Sequence, residues 1–383
     1  TMQPASRIGQ IKPFMVMDVL EAAKKLEAQG THIIHLEIGE PDFDTPQCVK
    51  DAACRAMDSG ETHYTHSLGL QELREAICED YQDSYGARID PDQILVTSGT
   101  SPAMLLCFAV LLEPGDEVII SDPGYACYAN FIKFAGGVPV TVKVREEDGF
   151  QYRTETIKEV CTPRTKGIMI NSPSNPTGTV LDPGRMSELA DIGPSIISDE
   201  IYHGLTYSGR DHSILEFTDE SFVLNGFSKR FAMTGWRLGY LIAPKPFLRD
   251  IQKLAQNLFI CAGSIDQWAG IAALKQAGPD VDAMRDTYDK RRRFMLKRLQ
   301  EIGFGVQTEP TGAFYILANA KHFSNDSYQL AFEILNRAHV GVTPGIDFGA
   351  NGEGYLRFSY ANSLDNIAEG MDRLESFLHN ASR

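Results

Sequence analysis

Residues 222–243 read FVLNGFSKRFAMTGWRLGYLIA. The stretch opens on a short run of buried-strand type at 222–225, closes on a second apolar run at 237–243, and carries Lys229 in the loop between them. A lysine in small, apolar and aromatic company, eight residues before Arg237, is either a solvent-facing charge, as most lysines are, or an amine presented by a strand end for chemistry. The choice depends on whether other strands end in the same manner.

Working outward, apolar strand patterns alternate with helical ones. ILVT at 94–97 reads as a buried strand, 102–112 as a helix, and Glu113-Pro-Gly-Asp as a turn into a strand at 117–121. A helix is expected at 125–134, turn and strand at 136–144, a helix at 154–160, a strand at 167–171, a helix at 183–191 and strands at 195–198, 222–225 and 237–243. This rhythm specifies a mostly parallel sheet covered by helices, and such sheets bind ligands beyond the carboxyl ends of their strands. Ser98-Gly99-Thr100 follows ILVT, NSPSNPTG (171–178) follows GIMI, Asp199 follows SIIS and Lys229 follows FVLN. Four unusual loops at one edge favour the reactive lysine over the surface one.

Each loop has its own competence, beside a plainer alternative. Ser98-Gly99-Thr100 opens a helix whose free N–H groups can hold a phosphate, or it is an ordinary helix cap. Asp199 at a buried strand end needs a cation or strong donor, which a protonated ring nitrogen or a neighbouring Arg or Lys would supply. Arg237 suits bidentate phosphate contact or a surface ion pair. Tyr125 stacks on a flat cofactor or belongs to the core, and Asn175 is a turn former between Pro173 and Pro176 or an amide aimed into the crevice. A planar phosphorylated aldehyde with a basic ring nitrogen would use all of these groups together. That describes pyridoxal 5′-phosphate, with Lys229 bonded to it.

Composition is that of an ordinary globular protein, which makes disorder or a fibre an unexpected outcome. The 383 residues are 43% hydrophobic and 23% charged, and 36 Lys plus Arg against 51 Asp plus Glu leave a net charge of −15. That balance repels phosphate backbones and anionic membranes, so neither nucleic acid nor membrane is an expected partner. The cluster KRRR at 290–293 lies in a helical pattern over 281–302 and reads as a solvated helix face. The 7 cysteines are scattered without CxxC spacing, which fits a reducing cytoplasm. The longest apolar run, 103–112, is too short to span a bilayer. The first residues carry no signal-peptide pattern, and Thr1 before Met2 reads as a cloning remnant. Neither His32/His35 nor His63/His66 has the companions of a metal site.

Eight segments, in order, resemble the class I/II aminotransferases of the fold type I pyridoxal-phosphate enzymes, related to aspartate aminotransferase. They are LEIGEPDFDTP (36–46), HYTHSLGLQELREAI (63–77), VTSGTSPAML (96–105), NSPSNPTG (171–178), SDEIY (198–202), SKRFAMTGWRLGY (228–240), PTGAFY (310–315) and YLRFSYANS (355–363). The resemblance implies an α/β fold, a seven-stranded mostly parallel sheet sandwiched by helices, with a smaller α+β domain. The large domain would cover residues 45–278, and the small, discontinuous one 1–44 with 279–383. Closure of the small domain would bring Arg357 onto the substrate.

The resemblance also implies roles. Lys229 holds the cofactor and moves the substrate proton; Asp199 partners the ring nitrogen; Asn175 and Tyr202 donate to the ring oxygen; Tyr125 stacks. Gly99, Thr100 and Arg237 contact the phosphate, joined by Tyr64 from the other subunit of a homodimer. Arg357 clamps the substrate α-carboxylate beside Gly39 and Asn175. In the family, the bonds Asp122–Pro123 and Asn175–Pro176 match cis positions. Two departures stand out. Gly226 occupies a position where many members carry a Ser or Thr phosphate ligand, and Ser101 one where aspartate-using relatives carry a lysine. The implied activity is transfer of an amino group from an L-amino acid to a 2-oxo acid, 2-oxoglutarate being the expected acceptor, by a ping-pong mechanism, with residues 11–17 and Ser101 selecting the side chain. A carbon–sulfur β-lyase and a non-catalytic aminotransferase-like regulator are the rival readings; the complete catalytic set and the lack of a DNA-binding extension before residue 10 count against the regulator.

Overall fold

In the computed structural model, which describes residues 2–381, seven strands form one sheet. Their spatial order is Ile94–Thr97, Gly239–Ile242, Ser221–Gly226, Ser195–Asp199, Thr165–Asn171, Glu117–Asp122 and Val138–Lys143. Gly239–Ile242 is antiparallel to both neighbours, and all other pairings are parallel. Two antiparallel steps restore the direction, so the other six strands place their carboxyl ends at one edge. The reversed strand brings its amino end to the same edge, and Arg237, just before it, arrives there too.

The pleat explains why these strands read as nearly unbroken apolar runs. Val223, Ile168, Ile170 and Ile196 enter one core cluster, while Phe222, Leu224, Met169 and Ile197 enter the other. Alternate residues thus serve opposite faces, and both faces are covered by helices. Element ends differ locally from the sequence expectation. The helix Thr100–Leu111 starts at Thr100, not residue 102, because Pro102 fits the first turn, where its missing N–H costs nothing. The helix Cys127–Phe134 starts after Tyr125, which stays in the turn that follows cis Asp122–Pro123, where Gly124 N–H donates to Phe348 O at 2.9 Å. Arg237 has φ 52 and lies outside the strand.

A second sheet runs Thr343–Pro344, Tyr355–Ser359, Tyr315–Asn319, all antiparallel, with Arg357 between Thr343 and Leu317. Ile34–His35 pairs in parallel with Val340–Gly341, drawing the N-terminal segment into the C-terminal layer.

The KRRR cluster is not a solvated face. In the helix Gly278–Ile302, Arg291 and Arg292 fall on the buried stripe with Tyr288, Met295 and Leu299. Arg291 grips both carboxylate oxygens of Asp42 at 2.7 and 2.9 Å and lies over Phe43. Arg292 binds Asp289, Glu309 and the Pro310 carbonyl. Four consecutive cations on a helix point in four directions, so their identity alone could not say which pair faces inward. Among the described residues, no helix is long and apolar enough to cross a membrane.

Candidate active site

The carboxyl edge of the large sheet opens into a cavity of about 530 Å³, whose walls include Lys229, Asp199, Asn175, Tyr202, Tyr125, Thr100, Arg237, Gly39 and Arg357. The loops that deliver them are turned by cis bonds at Asp122–Pro123 and Asn175–Pro176, as expected, and at Ser172–Pro173, which sequence reading did not single out.

Lys229 follows the strand Ser221–Gly226, and its Nζ donates to Gly39 O at 2.7 Å. Its amine is lowered to about 8, by burial first, with Arg357 and Arg237 adding to the effect while Glu40 and Asp199 oppose it. A lysine near that value has a substantial neutral fraction at physiological pH, as a nucleophile or base requires.

Asp199 ends its strand in the buried interior. Tyr128 O–H donates to Oδ2 at 2.6 Å and Ile201 N–H to Oδ1 at 3.2 Å, and no ion pair forms with any cation among the described residues. The surface-type alternative, pairing with a nearby Arg or Lys, is therefore absent. Burial raises the carboxyl from its ordinary 3.8 to about 6 against these two donors. The sign has a consequence for the cofactor-free chain. Between about pH 3.8 and 6 the folded state holds a proton that the unfolded state has released, so stability falls as pH rises through this window and stays low above it. Asp199→Asn should then stabilise the cofactor-free protein at pH 7 by ~3 kcal/mol at most, from a shift of about two units at 1.36 kcal/mol each, with no gain below about pH 4. Urea unfolding at both pH values checks this, and equal gains at both would refute it.

Arg357 is buried on its strand without a carboxylate partner among the described residues. Nη1 donates to Asn175 Oδ1 at 2.9 Å, Nη2 to Glu37 O at 2.7 Å and Thr343 Oγ1 at 3.3 Å, while Nε has no partner among the described residues. The guanidinium lies 4.4 Å over the Tyr315 ring and 5.1 Å over Phe348. Tyr315 O–H meets Tyr202 O–H at 2.8 Å. A Cβ on Gly39 would come within 2.7 Å of that Tyr315 oxygen, so any larger residue here would have to displace the buried Tyr315 hydroxyl.

Gly99 takes φ 97 and caps the helix Thr100–Leu111. A Cβ there would strike Arg237 Nη2 at 2.5 Å, which places the guanidinium directly against the helix's amino end. Arg237 makes no ion pair among the described residues; Nη1 donates to Thr234 O at 2.9 Å. An unpaired guanidinium and a helix amino terminus side by side form an anion cradle. The ring of Tyr125 leans on Phe14 and Tyr128. Gly226 has no room for a side chain: a Cβ would sit 2.9 Å from Leu238 O and 3.0 Å from Gly239 Cα. Packing between the two strands closes the position where a Ser or Thr would otherwise stand.

Tyr64 stands apart from these residues, 80% exposed and outside the cavity. Tyr128 and Tyr315 were missed by sequence reading. The spacing of Tyr128 three residues after Tyr125 on a helical pattern was the available signal for one, and the PTGAFY segment for the other.

These residues fit pyridoxal 5′-phosphate on their own chemistry: an amine of lowered basicity, a buried carboxylate lacking a cation, and a cationic anion cradle. The comparisons agree. The family model for aminotransferase class I and II matches residues 31–374. The chain is 42% identical to the (5-formylfuran-3-yl)methyl phosphate transaminase of Methanocaldococcus jannaschii, over 98% of this chain and 99% of the relative. It is 40% identical to an aspartate aminotransferase of Pyrococcus horikoshii, over 98% and 97%. The crystal structure of Thermus thermophilus aspartate aminotransferase with maleate superposes with a TM-score of 0.94 at 36% identity, covering 99% of this chain and all of that one. Fold and site define a pyridoxal-phosphate enzyme of fold type I. Within that class, the chain belongs to the class I and II aminotransferases, and it is a pyridoxal-phosphate-dependent transaminase.

Proposed function

We propose that this transaminase moves the amino group of an L-amino acid to a 2-oxo acid, with 2-oxoglutarate as acceptor, in a ping-pong cycle. The observation that carries the reading is Arg357: a buried cation with no carboxylate partner and an unpartnered Nε among the described residues, in the same cavity as Lys229. An uncompensated buried guanidinium is costly, and a substrate α-carboxylate would satisfy it bidentately. Gly39 leaves space beside it.

When bound, the cofactor supplies an electron-withdrawing ring that eases loss of the substrate Cα proton. Lys229 would hold the cofactor and then, once displaced, carry that proton, a task suited to an amine near 8. Asp199 would hold the ring N–H and thereby gain the cation it lacks. Asn175 gives its side-chain oxygen to Arg357, which leaves its amide N–H groups free for the ring oxygen, alongside Tyr202. Tyr125 would stack on the ring, and Arg237, Gly99 and Thr100 would hold the phosphate. Residues 45–278 would act as the large domain, with 1–44 and 279–383 as the small one. Arg357 on the smaller sheet and Lys229 on the larger support closure between them. The 7 unpaired cysteines support a cytoplasmic setting. A panel of amino acids, each tested for loss of the cofactor's visible absorption and for its recovery with 2-oxoglutarate, tests the reading. Bleaching by an amino acid without recovery by any 2-oxo acid would sink it.

The exposure of Tyr64 supports a homodimer in which that hydroxyl serves the neighbouring subunit's phosphate. Mixed dimers test the sharing. A Tyr64→Phe chain paired with a Lys229→Ala chain would gather both defects in one site and keep about half of wild-type activity. A doubly substituted chain paired with a wild-type chain should behave like the tyrosine variant. The reverse order would show sites built within single chains.

A further inference from the structure

Arg357 is held by the backbone of a residue that carries a charge of its own. Its Nη2 donates to the Glu37 carbonyl, and the Glu37 side chain is 1% exposed, with Oε2 unpartnered among the described residues. A carboxylate tethered at this point is a built-in rival for the substrate's, because it could turn onto the free Nε of Arg357. It is turned away instead. Oε1 meets His35 Nδ1 at 2.7 Å, and His35 Nε2 meets Glu27 Oε1 at 2.8 Å on the helix Met15–Ala28. Two carboxylates on the two ring nitrogens demand an N–H on each, which is the cationic imidazolium. The ring is raised to about 9, chiefly by its bond to Glu37. On the far side, Gly341 makes room for the diverted carboxylate: a Cβ there would lie 2.3 Å from Oε2.

We propose that His35 is a positioning residue that draws the Glu37 carboxylate off Arg357 and so keeps the clamp open for the substrate carboxylate. The inference rests on Arg357 being that clamp. Glu27 fixes the imidazolium from the opposite side, so the ring cannot follow Glu37 inward.

The test uses holoenzyme and two carboxylates without an amino group, maleate and 3-phenylpropionate, with binding followed by calorimetry. His35→Leu should weaken both by about tenfold and raise KM for the donor similarly, with kcat at saturation within about threefold of wild type. His35→Leu with Glu37→Met, which replaces the pair by apolar groups, should restore binding to within about threefold. Glu37→Gln alone should also bind within about threefold, a variant that remains informative should His35→Leu fail to fold. A double variant as weak as His35→Leu, a Glu37→Gln as weak as that, or normal binding by a folded His35→Leu would each overturn the proposal. Arg357→Lys separates the two readings: binding unchanged by that substitution removes the clamp itself, whereas weakened binding there beside normal binding in His35→Leu removes only the role of His35.

Discussion

Lys229→Ala should abolish steady-state turnover, by ~10⁴-fold or more, because on the proposed reading the substitution removes both the covalent anchor and the group that carries the substrate proton. The fold should survive. The side chain contributes one hydrogen bond, to Gly39 O, and its cation is disfavoured by burial, so truncation removes little that stabilises the chain. The surrounding loop is held by other residues: Phe227 stacks on Phe231, Met233 is fully buried, and Thr45 Oγ1 donates to Ala232 O at 2.6 Å. Much of the cofactor affinity should persist too, since Arg237, the helix amino end at Thr100, and Asp199 are untouched. Borohydride reduction of the wild-type holoenzyme, followed by peptide mapping, should place the cofactor on Lys229 alone. A label on any other lysine would overturn the central assignment, whatever the activity of the alanine variant.

The placement of Lys229 at the sheet's carboxyl edge was legible in the sequence because a strand end is a local signal and a shared edge is a topological one. FVLN, GIMI, SIIS and ILVT each announce a buried strand, and parallel connection obliges their carboxyl ends to meet. The fold class followed from the same runs, since strands covered on both faces lose the polar alternation of exposed ones. What stayed hidden depended on partners distant in sequence. Tyr128 reaches Asp199 across 71 residues, Tyr315 reaches Tyr202 across 113, and Arg291 finds Asp42 across 249. No periodicity predicts which polar group a buried residue will meet. The KRRR cluster shows the same limit: charge argued for solvent, whereas the helical stripe through Tyr288, Met295 and Leu299 carried two of its arginines inward. Gly226 is the converse case, a departure from the family pattern whose cause, the close approach of Leu238 and Gly239, appears only when the adjacent strand is in place.

Asp199→Ala should lower kcat/KM by ~10²–10³-fold, the usual cost of deleting one preorganised electrostatic group from a water-excluded site. The carboxyl's isolation is the physical cause. Buried with two donors and no cation, it is raised to about 6, and a ring N–H placed against it would convert that unfavourable burial into a charge-assisted bond. With Asp199 as the proposed partner of the ring nitrogen, alanine would leave that nitrogen without an anion to keep it protonated, so the electron sink would weaken while Lys229 and Arg357 remain. Asp199→Glu should be partly active, because it keeps the anion but must fit an extra methylene between Tyr128 and Ile201. Tyr128→Phe offers a graded control: removal of the O–H donor to Oδ2 raises the carboxyl further and should reduce turnover less than the alanine change does. The measurement is kcat/KM for one donor across pH 5–9, with bound cofactor quantified by absorbance so that lost affinity is not read as lost chemistry. If Asp199→Ala turns over at near-wild-type rate with cofactor in place, the ring nitrogen is protonated by something other than this residue, and the carboxylate belongs to the architecture of the strand end alone.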